Sequence, residues 1–390
     1  MRIAILNLWN IAENSIGGTE RFVDDFSKSL SKDNEVDVYM FSGKNYSKNG
    51  VNYISLNIFG NDQNVDEYMI CEKFGEFDTV ESYISLAKII ESKIDSSKYD
   101  LFHLNSHLFL KCFQNKNRII TMHSNYEEFI ILWKQKAYDL MVEILKEEIK
   151  ENNLKIVCPS LYYGKQWSKI LGEDVFTIYH AINQERLKTN YKKEDLIKKY
   201  NLSQDKIKIL LPSRLEPIQK RPKYILEGLS KLSEEEKNKY QVIFTGIDTQ
   251  YEQYINELKN YSNKHGIDSQ FVIFDHISEG YKLCDIVCVP SKSESFGYAA
   301  LEGIVLGIPT ILSNIPTYRE LKKDNEHVKI FKSKRELTNI LKLYLDKKNE
   351  RNIVSKEYLD LFNLEEFGRK YIDKLWVTNH FIHYKKIIKK

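Results

Sequence analysis

The sequence predicts an α/β protein built from two doubly wound, Rossmann-like domains in tandem. Three observations carry that prediction. The chain has 390 residues, too many for one ordinary hydrophobic core. Short apolar runs that end in polar loops recur along it and alternate with segments of helical period, as buried parallel strands and their crossover helices do. Between two such series lies a highly charged stretch, QERLKTNYKKEDLIKKYNLSQDK, with no strand pattern.

In the first series, RIAILNL (2–8) reads as a buried strand leading into a polar loop with Gly17-Gly18. Phe22, Val23, Phe26 and Leu30 then fall at helical spacing. A second strand is expected over Val36–Ser42, and the Asn- and Tyr-rich stretch 43–80 has no regular pattern. A helix follows at Ser82–Ile94, strands at Tyr99–His107 and Arg118–Ser124, and a long helix over Glu127–Lys150. Strands over Lys155–Ser160 and Val175–Asn183 complete a domain over residues 1–183.

The second domain, 184–364, contains strand patterns at Lys206–Ser213, Tyr240–Gly246, Gln270–His276, Asp285–Ser291 and Ile308–Ser313. Helical stretches such as Tyr224–Leu232 and Tyr251–His265 separate most of them. The tail, 365–390, has a helical pattern and ends in the basic run HYKKIIKK, which is either a solvated helix end or a patch that touches an anionic membrane surface. Trp133 and Trp167 lie among basic residues and are further candidates for such contact.

Composition narrows the function classes. With 42% hydrophobic and 29% charged residues the chain reads as soluble and globular. A net charge of +3 gives no electrostatic case for nucleic acid. No apolar run reaches the roughly 18–20 residues of a membrane span, and MRIAILNLWN is too short and strand-like for a secretory signal. Five scattered cysteines fit reduced thiols in a cytoplasm, with Cys284 and Cys288 expected in the core. His103 and His107 are four apart, but in a strand pattern rather than on a helix, so a metal site is not expected there.

Ser291–Ile311, SKSESFGYAALEGIVLGIPTI, carries the strongest functional pattern. Glu294 and Glu302 are separated by seven residues; an SFG turn follows the first, and the second lies in an apolar run that stops at Gly307-Ile308-Pro309. Buried carboxylates require donors, and a helix N-terminus offers unpaired N–H groups and positive partial charge. Together they make a site for a polyhydroxylated, anionic ligand. Upstream, LPSRLEPIQKRP sets Arg214 and Lys220 in a loop after a strand. A planar fork and a mobile ammonium there suit a diphosphate.

These motifs together resemble the family 4 retaining glycosyltransferases of the GT-B fold. The matching residues are Pro290-Ser291, Glu294, Glu302 and Gly307-Ile308-Pro309, the Arg214–Lys220 pair, the early Gly17-Gly18 loop and His123 at a strand end. The resemblance implies two Rossmann-like domains facing across a cleft and a C-terminal helix that packs back on the N-terminal domain. It implies an N-terminal domain that binds the acceptor and a C-terminal domain that binds a nucleotide-sugar donor, with a UDP-sugar favoured over a GDP-sugar and no metal or other cofactor.

The roles it assigns are specific. Arg214, Lys220, Glu294, Ser295, Phe296, Gly297, Tyr298 and Glu302 would bind the donor. Glu302 would face the ribose, Glu294 the transferred sugar, and the backbone around Phe296, Gly297 and Tyr298 the sugar and phosphate oxygens. Gly17, Gly18 and His123 would lie on the acceptor side, and His123, Arg214, Lys220 and Glu294 would be catalytic. A hexose or N-acetylhexosamine would pass to a glycan, lipid-linked or protein acceptor, in the cytoplasm or at the inner face of the cell membrane, for surface-glycan or glycoconjugate synthesis. Alternatives are a non-catalytic partner subunit of such a transferase and a synthase or phosphorylase acting on a soluble sugar. Two departures stand out: Arg221-Pro222 where the family usually has glycine after the lysine, which predicts a different backbone bend, and His180-Ala181-Ile182-Asn183 where Asn-Gly-Val-Asp is common.

Overall fold

A computed structural model describes all residues except 12–16, 61–64, 66, 125, 346–350 and 374–390, and the side chains of 67, 126–128 and 130–133. The chain divides into two compact units, Met1–Ala181 with the described residues from Leu361 on, and Ile182–Asp360. The sequence places those divisions after residues 183 and 364.

The first unit holds an eight-stranded sheet. Its strands are β1 (Arg2–Leu6), β2 (Glu35–Met40), β3 (Tyr46–Lys48), β4 (Val51–Ser55), β5 (Leu101–Leu104), β6 (Arg118–Thr121), β7 (Lys155–Cys158) and β8 (Phe176–Thr177). Their order is β3-β4-β2-β1-β5-β6-β7-β8. Only β3 runs antiparallel to its neighbour, β4. Four residues of β1 are buried, and it sits between β2 and β5 with Ile5 opposite Val38 and His103. A strand covered on both faces is apolar nearly throughout, which is why its pattern shows in the sequence.

The irregular 43–80 stretch proves to contain β3, β4 and a helix at Glu67–Phe74. Asn49 and Gly50 turn the hairpin with φ of 53° and 76°, the pairing that an Asn-Gly hairpin turn requires. The long helix runs Tyr126–Asn152 but is interrupted at Lys134, where φ is 63°. Val175–Asn183 forms only the two-residue β8.

Helix Gly18–Leu30 buries Phe22, Val23, Phe26 and Leu30, the face its periodicity predicts. Phe26 meets Phe367 and Tyr371 at ring-centroid distances of 5.5 and 4.5 Å. The helical residues 364–373 therefore pack on this first helix. The remainder of the predicted tail helix, including HYKKIIKK, lies outside the described residues. Trp133's side chain does too. Trp167 is 1% exposed and donates its indole N–H to Ser124 O at 3.2 Å, so this residue belongs to the core and is no surface contact.

The second unit has a six-stranded sheet formed by β9 (Ile207–Leu211), β10 (Tyr240–Phe244), β11 (Ser269–Phe271), β12 (Ile286–Val289), β13 (Thr310–Ser313) and β14 (Val328–Phe331). The order is β11-β10-β9-β12-β13-β14, and every pairing is parallel. This is the doubly wound order with its reversal between the first and fourth strands. Val287 of β12 faces Leu210 of β9 across that reversal. Leu210 is fully buried; truncating such a leucine to alanine typically costs about 2–5 kcal/mol. Cys284 and Cys288 are buried as expected. No described helix is long and apolar enough to cross a membrane.

Candidate donor and acceptor sites

Open parallel sheets gather ligands outside the carboxyl ends of their strands, where the strand order reverses. In the second unit that point lies between β9 and β12. The loops leaving these two strands carry Arg214 and Lys220 on one side and Glu294 on the other. Two of these predicted residues meet directly: Lys220 Nζ donates to Glu294 Oε1 at 2.7 Å, with both side chains about 15% exposed (15% and 14%).

Glu294 is held by more than the lysine. Ser291 Oγ donates to the same Oε1 at 2.8 Å and Tyr318 OH at 3.5 Å, so all three donors converge on one oxygen, and Oε2 receives none from the described residues. Thr317 Oγ1 donates to the Glu294 carbonyl at 2.6 Å. Burial, and secondly the Glu294 carboxylate, push the Tyr318 phenol well above its ordinary range, so Tyr318 remains a proton donor.

The turn bearing Lys220 is shaped by a carboxylate that the sequence reading passed over. Glu216 accepts from the backbone N–H of Ile218 at 2.7 Å, of Gln219 at 2.5 Å and of Lys220 at 3.1 Å. Arg221 then takes φ of 50°, the left-handed conformation a glycine would occupy freely. At this departure from the family's glycine the chain thus adopts a bend that a glycine could also make. Arg214, in the same loop, is exposed and makes no hydrogen bond or ion pair with any described residue.

Helix Tyr298–Val305 begins at Gly297, whose φ is 88°. A Cβ there would come within 2.8 Å of the Tyr318 ring, so conformation and space both require glycine. Phe296 is 2% exposed, and its ring is part of the core. Glu302, 5% exposed, accepts from Tyr281 OH at 2.5 Å. That partner also escaped the sequence reading, because Tyr281 lies 21 residues upstream. Ser295 and Tyr298 flank the turn, each part-exposed.

In the first unit the reversal lies between β1 and β5. Asn7 follows β1, Asn105 follows β5, and His123 follows β6. His123 Nε2 lies 2.7 Å from Asn105 Oδ1, Asn105 Nδ2 donates to Asn7 Oδ1 at 2.8 Å, and Asn7 Nδ2 donates to Trp9 O at 2.8 Å. That order of donors makes Nε2 the protonated nitrogen of His123 and leaves Nδ1 its lone pair. Burial pushes His123 down to about 4, so it is uncharged at neutral pH. The asparagines had one sequence signal, an amide directly beyond an apolar run.

Gly17 caps helix Gly18–Leu30 in an extended conformation, with φ of −75° and ψ of 151°. A Cβ on Gly17 would overlap the Glu20 carboxylate. One turn into this helix, Phe22 packs edge-on against His123 at 4.9 Å. The predicted acceptor-side residues thus share one helix N-terminus and the strand end beside it. His103 is fully buried and bonds Thr121 Oγ1 at 2.9 Å, which in turn meets Tyr371 OH at 3.1 Å.

Residues 192–358 match the family model described as glycosyl transferases group 1. The chain is 23% identical over 337 residues to an uncharacterized 41.2 kDa protein in the cps region of Klebsiella pneumoniae, covering 82% of this chain and 84% of that one. It is 31% identical over 151 residues to the O-antigen biosynthesis glycosyltransferase WclY of Escherichia coli, covering 37% of this chain and 38% of that one. Among solved structures, sucrose-phosphate synthase from Thermosynechococcus elongatus superposes with a TM-score of 0.75 at 16% identity, covering 98% of this chain and 99% of that one. HepE of Anabaena, in complex with UDP and glucose, gives 0.72 at 15% identity, covering 97% and 100%. The chain has the GT-B fold, and its segment 192–358 matches the family model of glycosyl transferases group 1.

Proposed function

We propose that this protein is a family 4 retaining glycosyltransferase that moves a hexose or N-acetylhexosamine from a UDP-sugar to a hydroxyl of a glycan, lipid-linked or protein acceptor. The observation that carries this reading is the Lys220–Glu294 pair at the strand-order reversal of the second sheet. It sets a cation for a diphosphate next to a carboxylate for sugar hydroxyls. The names of the cps-region and O-antigen relatives support surface-glycan synthesis as the setting, and the UDP and glucose bound by HepE support the donor class.

Lys220 and Arg214 would neutralise charge on the departing diphosphate, which is preorganised stabilisation aimed at where charge grows. The N-terminus of helix Tyr298–Val305 adds backbone donors from Ser295 through Tyr298. Glu302, oriented by Tyr281, would accept from the ribose hydroxyls, and Glu294 Oε2 from the sugar. The acceptor oxygen would bond to the anomeric carbon on the face that the phosphate leaves. The bond from that carbon to the β-phosphate oxygen breaks, and the hydroxyl proton passes to a phosphate oxygen. No step calls for a metal. His123 would offer its uncharged imidazole to a sugar hydroxyl, beside the Gly17-Gly18 cap. The enzyme would work in the cytoplasm, at the membrane face where its acceptor is lipid-linked.

The test is a thermal-shift panel of UDP, GDP and ADP and their sugars, because a ligand selective for the native state raises its stability by mass action. The best donor is then assayed for transfer and hydrolysis with Arg214→Ala and Glu294→Ala. Each variant is expected to lose about 10²–10³ in turnover; near wild-type rates in both would sink the assignment.

A further inference from the structure

Arg221 occupies a position where its side chain and its backbone pull in opposite directions. Its φ of 50° is strained for a long side chain such as arginine, and strain of that kind persists only where the surroundings over-determine it. Here the surroundings are the other loop of the donor site. Arg221 Nε donates to Pro290 O at 3.0 Å, and Nη2 donates to Ser291 O at 3.0 Å. The guanidinium also lies over the Tyr224 ring at 4.8 Å. Pro290 and Ser291 lead directly from β12 into the segment that holds Glu294. Next to this fork the two loops make further contacts: Lys292 N donates to Gln219 O at 2.6 Å, and Gln219 Nε2 donates to Ser293 O at 3.3 Å.

We propose that Arg221 is a positioning residue of the donor site: its guanidinium latches the loop after β9 to the loop after β12 and so fixes the Lys220–Glu294 pair before donor arrives. The inference rests on the donor reading above. A planar fork is what two adjacent carbonyls need, and neither a glycine nor a lysine supplies it. Without the latch the Lys220 ammonium keeps its charge but loses its fixed place, so ordering it is deferred to the binding step.

Arg221→Gly separates the two features, since glycine keeps the left-handed turn and removes the fork. Calorimetric titration of the full chain starts with UDP, GDP and ADP on the wild type, and continues with whichever of the three binds tightest. Arg221→Gly is expected to weaken that nucleotide by about tenfold, the worth of a charged hydrogen-bond pair. Arg221→Lys should recover only part of the loss. In a Lys220→Ala background, Arg221→Gly should add little, because the effect runs through Lys220. A purely structural arginine would add its full factor there. Nucleotide affinity unchanged in Arg221→Gly, or the same loss with and without Lys220, would overturn the inference. If Arg221→Gly melts far below the wild type, Arg221→Lys carries the same cycle. A wild-type chain that binds none of the three nucleotides would overturn the donor reading itself, and the latch with it.

Discussion

At the reversal point of the first sheet the chain sets two amides and an uncharged imidazole; at that of the second it sets an ion pair, a buried carboxylate and an exposed arginine. Asn7, Asn105 and His123 form a neutral relay, whereas Lys220, Glu294, Glu302 and Arg214 bring formal charge to the same place in the topology. One strand order thus supports two kinds of edge. A neutral relay gives directional donors and acceptors suited to hydroxyls. A charged edge binds anions and tolerates burial only because each carboxylate keeps a donor. In the proposed reading these are the acceptor and donor sides of one enzyme.

The largest effect that sharpens this contrast is expected for Lys220→Ala. It removes the cation and leaves Glu294, 14% exposed, without its ion-pair partner. Turnover should fall by about 10²–10³, as for loss of one transition-state donor. A loss smaller than that of an asparagine of the neutral relay, compared by steady-state kinetics with Asn105→Ala, would reverse the assignment of the charged edge.

The next contrast is in acid. Burial holds His103 down to about 3 and His123 down to about 4, and it places His180 well below its ordinary value. An unfolded histidine titrates near 6.5. As pH falls below about 6.5 the unfolded chain takes up protons that the folded one refuses, so stability falls, by up to about 1.4 kcal/mol per pH unit for each histidine. The contribution is intact above about pH 6.5 and is lost progressively as pH falls from there through the folded values, about 4 for His123 and about 3 for His103. All four tryptophans of the sequence (Trp9, Trp133, Trp167 and Trp376) lie outside residues 182–360. Tryptophan fluorescence during chemical unfolding at stepped pH therefore follows the first unit selectively. A midpoint that does not move between pH 7 and about 4.5 would contradict the buried neutral state.

A smaller effect is expected for Tyr281→Phe, which takes the hydroxyl donor from the nearly buried Glu302. Leaving such a group short of a partner costs about 1–3 kcal/mol, read as a lower urea midpoint. Nucleotide affinity should fall with it, if Glu302 holds the ribose. The smallest effect on stability is expected for Arg214→Ala. The side chain is exposed and contacts no described partner, so the midpoint should move by no more than about 0.5 kcal/mol. A clear destabilisation would mean that Arg214 is structural, not held ready for a ligand.

Much of the frame was legible before any coordinates. Runs such as KIKILLPS and DIVCVPS show because β9 and β12 are buried on both faces, and the predicted apolar face of helix Gly18–Leu30 is the buried one. What was missed had weaker local signals. β3 and β4 are short strands at the sheet's edge, half polar, and the Asn49-Gly50 turn between them was the one clue. β14 is four residues long, and its middle two, Lys329 and Ile330, are only partly buried, as in an edge strand. The kink at Lys134 has no proline or glycine to announce it.

The sequence by itself determined the alternation of strands and helices, and its motifs singled out candidates in each unit: His123 in the first, and Arg214, Lys220, Glu294 and Glu302 in the second. Periodicity and chain order carry that information because burial acts on each element locally. Only the tertiary structure decided which of these touch. Strand order brings the loops after β9 and β12 together, and those loops are 74 residues apart where Lys220 meets Glu294. It also supplied the partners that no spacing reveals, Tyr281 for Glu302, Tyr318 for Glu294 and Arg221 for the β12 loop. A hydrogen bond needs its atoms within about 3 Å, and distance in the chain says nothing of that until the sheet is wound.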